Sequence, residues 1–381
     1  MIQTIIVTNA EKRSALAVIR SLGKQGLNVI ACSDTRFSPG FYSKYCSKHL
    51  IYPSPKKDVK SFVRWLNKLC ETTEDPLIFP IGDDITLVLK NHKINAKAIL
   101  SSPIEFAHNK KKLFNFATKH GVLVPKTKTI TNKDQLKGAK KFPCILKPIQ
   151  SMYIKNNKII STKVQIANTN RELIEKGSKL ISNFGEFLLQ EYVPGHGVGY
   201  FAVSKNGVVL SDFQHKRLRE VPYKGGPSSL RKSIYDQDLD KVSSKLLKKL
   251  NRTGLGMVEF RKHKNKFYLM EINGRAWGSL ALAEHAGVDF PYDAYKLTIG
   301  QSIKKQNYLL NIKCRWLIPG DIYHIISVLK SSLPRSEKLA RLKQFLCFKN
   351  EKFDYLQTDD ILPAITFSIF LVILGIKRFL K

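Results

Sequence analysis

The sequence predicts an α/β protein in which an open domain with a parallel sheet precedes a larger α+β region built on antiparallel hairpins. Three observations carry this expectation. Over residues 1–103 short apolar strands alternate with segments of helical spacing, the pattern of parallel strands joined by right-handed crossovers. Farther along, "VGYFAVSKNGVVLSDFQHKRLRE" places Asn206-Gly207 between two alternating runs, the strongest short-range hairpin signal. With 381 residues and 43% hydrophobic content, the chain can bury one large core or two to three modest ones.

In the first region "TIIVTN", "NVIACSD" and "DPLIFPIGDD" read as strands, and "EKRSALAVIRSLGKQG" as a helix with a glycine stop. The stretch "TNAEKRS" follows the first strand where a dinucleotide fingerprint would place its glycines, so NAD is not expected and Asp34 reads as a loop residue. Asp83 and Asp84 close the third strand. They suit either a neighbouring cleft or the capping of the next turn.

The second region spans residues 104–301. Here "HNKKKLFNFATKHG" and "DQDLDKVSSKLLKKLNRTG" read as helices, "FPCILKPI" as a strand carrying a lone Lys147, and "FLLQEYVPG" as a strand entering a turn. Two further strands, "LGMVEFRKH" and "KFYLMEIN", are joined by a short polar turn. Alternation puts Tyr268, Met270 and Ile272 on one face and Leu269, Glu271 and Asn273 on the other. If the turn holds an odd number of residues, Glu259 and Glu271 share a face; an even turn separates them.

Two carboxylates on one face repel unless a cation or a proton lies between them. Magnesium suits such a pair, because it favours one or two carboxylates together with phosphate oxygens. Glu259, Glu271 and Asn273 are therefore candidate metal ligands, with Arg275 holding the phosphate that the metal bridges. A solvated sheet face with scattered charge stays open as the other reading. The "KGGPSS" loop, residues 224–229, offers amides and hydroxyls to an anion, or is only a turn.

Residues 302–381 are expected to form a helical tail. Two amphipathic pieces break at Pro334, and the apolar run "ILPAITFSIFLVILGI", residues 361–376, precedes a basic end. Sixteen helical residues cover about 24 Å against a hydrocarbon core of about 30 Å, so a helix lying in the cytosolic leaflet is expected rather than a crossing. The formal charge of +34 suits an anionic membrane surface. Nucleic acid is not an expected partner, since Lys outnumbers Arg 49 to 15 and no helix-turn-helix or RNA-binding signature is present. Six scattered cysteines predict neither disulfides nor a zinc site, and the first residues lack a basic secretory leader.

Taken in order, these residues resemble the ATP-grasp superfamily, in particular the group similar to carbamoyl-phosphate synthase subunits and carboxylate-amine ligases. The resemblance covers residues 1–300 or so and makes the first region a pre-ATP-grasp, Rossmann-like domain and the second an ATP-grasp domain. It implies that Lys110 and Lys147 contact nucleotide phosphates, and that Gln190, Glu191, Tyr192 and Val193 form the hinge that binds adenine through backbone groups. It also implies that His215, Arg217 and Arg219 lie over the terminal phosphate, and it matches Glu259, Glu271, Asn273, Arg275 and "WGS" to the closing strand pattern. A Gly-rich flap expected after Lys147 is missing from "KPIQSMYIKNNKIIST".

The implied activity is an ATP- and magnesium-dependent ligase joining a small-molecule carboxylate to an amine or a thiol through an acyl phosphate. A nucleotide-binding adaptor without chemistry is the alternative. The substrates and the oligomeric state are not legible.

Overall fold

A computed structural model of the chain describes residues 3–379 apart from 138–140 and 224. Lys224 of the "KGGPSS" loop and Lys381 of the basic end thus lie outside the described residues, as do the side chains of the last part of the apolar run.

Four sheets organise the molecule. The first is parallel, with strands in the order Lys48–Ile51, Asn28–Ser33, Thr4–Val7, Pro76–Phe79 and Lys97–Ala98. Its three central strands are buried on both faces, which is why they read as continuous apolar runs, whereas the edge strands Lys48–Ile51 and Lys97–Ala98 are largely exposed. Helix Arg13–Lys24 covers one face and joins it through Val18, Ile19 and Leu22 to a core that also holds Phe201, Trp277 and Phe290.

A four-stranded sheet, ordered Gln165–Ala167, Cys144–Pro148, Phe187–Glu191 and Thr127–Ile130, carries helix Asn170–Phe184. Facing it is a seven-stranded sheet whose first members are Lys266–Asn273, Gly254–His263, His196–Lys205, Val208–Glu220 and Ser228–Ser233. The expected hairpin is present, with Asn206 at φ 51° and Gly207 at φ 78°, the left-handed pair that a tight two-residue turn needs.

Two features depart from the expected organisation. The residues beyond 301 are not simply a helical tail, because strands Lys313–Arg315 and Glu351–Phe353 extend the seven-stranded sheet at its far edge. The amphipathic pieces are helices Ile322–Leu329 and Arg335–Leu346, separated by Pro334, and the apolar run lies in helix Leu362–Phe379. Among the described residues no helix is long and apolar enough to cross a membrane.

The second departure is a two-stranded sheet, Met152–Lys155 with Lys158–Ser161, in the place where a flap was expected. It is pinned to the first domain. Ile159 is buried among the residues behind the parallel sheet, and Asn157 Nδ2 donates to Asp58 Oδ1 at 2.7 Å while its Oδ1 accepts from the Lys60 amide at 2.9 Å. All six cysteines are free.

Candidate functional site

A cleft of about 570 Å³ lies between the four-stranded and seven-stranded sheets. The four-stranded side contributes Lys147 and the hinge residues Gln190, Glu191, Tyr192 and Val193; the other side contributes Arg217, Glu259, Glu271, Asn273 and Arg275. Gly225, Gly226, Pro227 and Ser228 of the glycine loop lie along the same wall, where Arg217 Nη1 donates to the Gly226 carbonyl at 2.9 Å.

The two glutamates meet because of a bulge. His263 pairs with Lys266 across a two-residue turn, and an even turn by itself would set Glu259 against Met270. Phe260 pairs with Leu269 and Met270 is the extra residue on the partner strand, so that Glu259 pairs with Glu271. The same bulge corrects the simple alternation expected for the last strand. Leu269 and Ile272 enter the core, whereas Met270 joins Glu271 and Asn273 at the cleft.

Each carboxylate has a different partner. Arg217 Nη2 lies 2.6 Å from Glu259 Oε2, and Asn273 Nδ2 donates to Glu271 Oε1 at 3.0 Å, which turns the carboxamide oxygen to other use. Burial raises the pKa of Glu259, with Arg217 opposing and Glu271 reinforcing the rise. Burial acts on Glu271 too, but Lys110, the Asn273 amide and Lys147 outweigh it and the pKa falls. A proton thus settles on Glu259 before Glu271, as expected for two acids sharing one site. Two hard carboxylate oxygens and a carboxamide oxygen fit magnesium; among the described residues no group of three or more His, Cys, Asp or Glu side chains offers a softer or fuller metal cage.

The lysines complete the charge pattern. Asn109 caps helix Lys110–Lys119 by accepting from the Lys112 amide, which fixes Lys110 in the first turn. Lys110 is buried and donates to Ser151 Oγ at 2.7 Å. Lys147, 8% exposed, has its ammonium 5.5 Å from the Phe114 ring centroid and 4.0 Å from Met270 Sδ. Burial brings its pKa down to about 8 despite the attraction of Glu271.

At the hinge, Gln190 is held by Thr127 Oγ1 at 2.9 Å and Glu191 by the Lys126 amide at 2.9 Å, while the Val193 carbonyl accepts from Arg261 Nε at 2.8 Å. Arg275 forms a two-pronged pair with Asp83, at 3.0 and 2.9 Å. The parallel-sheet domain therefore does reach the cleft, through Asp83. Asp84 points inward instead, accepting from Asn9 at 2.9 Å and pairing with Lys12 at 3.3 Å.

Three expected residues do not line the cleft: Lys110, which is buried against Ser151, and Arg219 and His215. Arg219 is carried to the opposite side by bulges between Arg217 and Glu220, and there it binds Asp321 at 2.5 Å and the Gln344 carbonyl at 2.5 Å. Glu220 takes its place, 3.6 Å from Arg217 and 3.5 Å from Arg261. His215 is buried edge-on against Phe201, with ring centroids 4.6 Å apart and neither ring nitrogen hydrogen-bonded. Burial and the charges of Arg217, Arg231 and Arg13 push its pKa well down, so it is a neutral core residue rather than a phosphate contact.

Arg13 and Arg261 are charged cleft residues that sequence reading did not single out, and Glu220 lies behind them as a partner of Arg217 and Arg261. Only Arg13 left a trace. It opens the helix after the first strand, the position at which open α/β sheets bind ligands. A Cβ on Gly278 would sit 2.9 Å from Arg13 Nη2, so the glycine of "WGS" makes room for that guanidinium.

A cleft between two sheets, with Lys147 on one wall and paired glutamates on the other, offers groups suited to a phosphate and a divalent cation. The comparisons point the same way. Residues 183–317 match the family model described as ATP-grasp in the biosynthetic pathway with Ter operon. The chain is 25% identical over 278 residues to D-alanine–D-alanine ligase of Pelagibacter ubique, covering 65% of this chain and 88% of that one. It is 20% identical over 305 residues to the carbamoyl phosphate synthase large chain of Clostridium perfringens, covering 76% of this chain but only 28% of the relative. Among solved structures, the biotin carboxylase domain of 2-oxoglutarate carboxylase from Hydrogenobacter thermophilus, in complex with magnesium ADP, ADP and bicarbonate, superposes with a TM-score of 0.62 at 15% identity. The match covers 82% of this chain and 73% of that one. These likenesses support the ATP-grasp superfamily for this chain.

Proposed function

We propose that the protein is an ATP- and magnesium-dependent ligase that joins a small-molecule carboxylate to an amine or thiol through an acyl phosphate. The observation that carries this reading is the bulge that brings Glu259 against Glu271, with Asn273 beside them, opposite Lys147 in the same cleft. Glu259, Glu271 and Asn273 would hold magnesium, which supplies charge neutralisation at the outer phosphates when bound. Lys110 and Lys147 would bind phosphate oxygens, and the hinge from Gln190 to Val193 would take the adenine.

The chemistry then needs no protein nucleophile. A substrate carboxylate oxygen attacks the terminal phosphorus, the bond to the bridging oxygen breaks, and ADP leaves. The amine nitrogen attacks the acyl carbon, expelling inorganic phosphate and losing a proton. Arg275, oriented by Asp83, and Arg217 would stabilise the charge spread over the transferring group, each such donor contributing about 3 kcal/mol.

We place the protein at the cytosolic face of an anionic membrane. Ile361, Leu362, Ile365 and Ile369 are exposed on one C-terminal segment, and the formal charge of +34 favours an anionic surface. The adaptor reading draws support from one feature, the hairpin pinned to the first domain by Asn157 where a free flap was expected. Incubation with ATP, magnesium and pooled cellular metabolites, followed by mass spectrometry, separates the two. The ligase reading expects ADP release together with a product lighter than its two substrates by one water. Absence of ADP release with every pool would favour the adaptor.

A further inference from the structure

A second cavity, of about 450 Å³, lies under helix Leu362–Phe379, away from the nucleotide cleft. Its walls include Leu317, Ile318, Phe353, Ala364, Phe367 and Ile369, with Tyr355 stacked on Phe367 at 4.4 Å between ring centroids. The polar side chains at its edge are already engaged. Arg315 pairs with Glu351 at 2.5 Å and donates to the carbonyls of Phe345 and Cys347 at 2.8 and 2.7 Å, and Ser368 Oγ donates to the Ala364 carbonyl at 2.8 Å. Apart from the Tyr355 hydroxyl, the polar side chains that line it have partners within the protein. The size is that of a small-molecule site, and apolar walls left against water there forgo the burial and dispersion contacts that an apolar occupant would supply.

The rim indicates what fills it. Leu356, Ile361 and Ile365 line the cavity and are also exposed, at 45%, 47% and 45%, so the apolar interior runs without interruption onto the surface assigned above to the membrane. Exposed apolar area of this extent on a chain with +34 formal charge is complementary to an amphiphile with an anionic head.

We propose that this cavity binds the aliphatic chain of an anionic membrane lipid. The inference rests on the membrane placement but not on the ligase chemistry. The two pockets share no lining residue, and the ion pair of Asp354, which lies between the cavity residues Phe353 and Tyr355, with Arg13 of the nucleotide cleft at 2.8 Å stands between them.

The test uses the full chain and a monomeric lysophosphatidylglycerol below its micelle concentration, with titration calorimetry as the readout and flotation on phosphatidylglycerol vesicles alongside. The wild type is expected to bind one lysolipid whether or not ADP is present. Ala364→Trp and Ser368→Phe, each filling the cavity, are expected to weaken that binding at least tenfold while leaving the affinity for ADP unchanged. Two variants guard against a fold defect in either. Lysolipid binding undiminished in both would overturn the proposal, as would a wild type that binds vesicles but no lysolipid. Failure to bind either would overturn the membrane placement as well, and neither result bears on ADP release.

Discussion

Arginine–carboxylate pairs serve two regions of this molecule in opposite ways. Near the C-terminal edge of the seven-stranded sheet, Arg231 and Arg13 both bind Asp354, Arg315 binds Glu351, Arg219 binds Asp321, and Arg20 binds Asp360 at 2.8 Å and the carbonyls of Tyr355 and Asp360 at 2.8 and 2.7 Å. These contacts tie residues 313–360 to the first helix. In the cleft, Arg217–Glu259 and Arg275–Asp83 border open volume, and Lys147 has a ring and a thioether as its near neighbours instead of a carboxylate. The difference is one of closure. Where each guanidinium and carboxylate is spent on the other or on backbone carbonyls, the charges fix architecture; where they border the cleft that also holds Lys147, they can meet an incoming anion and cation.

The largest effect expected from this contrast is at Asp354. Asp354→Ala strands two buried guanidinium groups and should cost about 3–5 kcal/mol of stability in urea unfolding. A loss below 1 kcal/mol would remove the distinction between the two regions. Next in size is a crossed pair of substitutions two residues apart. Arg217→Ala should lower ATP turnover about 100-fold, some 2.7 kcal/mol, with little loss of stability. Arg219→Ala should do the reverse, destabilising the fold while the remaining folded protein binds ADP normally. Equal effects on turnover would show that both arginines serve the cleft.

A smaller effect is set by Lys147. Its pKa is lowered from 10.5 to about 8, so between those values the unfolded chain binds the extra proton and the unliganded protein gains stability as pH rises. Phosphate binding requires the protonated form. ADP affinity should therefore fall above pH 8 by up to about tenfold per pH unit, a slope that Lys147→Met should abolish. A slope unchanged in that variant would move the titration elsewhere. Smallest is Asn157→Ala, which frees the hairpin Met152–Lys155 and Lys158–Ser161 from Asp58 and should speed its amide exchange only several-fold. Unchanged exchange would mean that the apolar contacts of Ile159 hold the hairpin by themselves.

What the sequence revealed depended on whether the signal was local. The Asn206-Gly207 turn, the alternating strands and helices of the first domain, and an isolated lysine in an apolar strand are local patterns, and these elements and the Lys147 side chain lie where they were expected. The register of Glu259 against Glu271 is not local. Turn length alone gives the opposite face, and only the bulge at Met270 corrects it, a feature without a composition signal. The same holds for Arg219, which "QHKRLRE" places with Arg217 until the bulges turn it away. Strands Lys313–Arg315 and Glu351–Phe353 are three residues each, too short for periodicity to show, and Arg13 gains its role from chain segments hundreds of positions distant. Long-range pairing, rather than residue type, was the missing information.

The central claim is that Glu259 and Glu271 together hold a divalent ion for the nucleotide. Its most direct test is titration of ADP into the wild type and into Glu271→Gln, each with magnesium and with EDTA. The account predicts that magnesium tightens ADP binding at least tenfold in the wild type and does nothing in the variant, whose melting temperature stays near that of the parent. The same magnesium increment in both proteins, or none in the wild type, would contradict it.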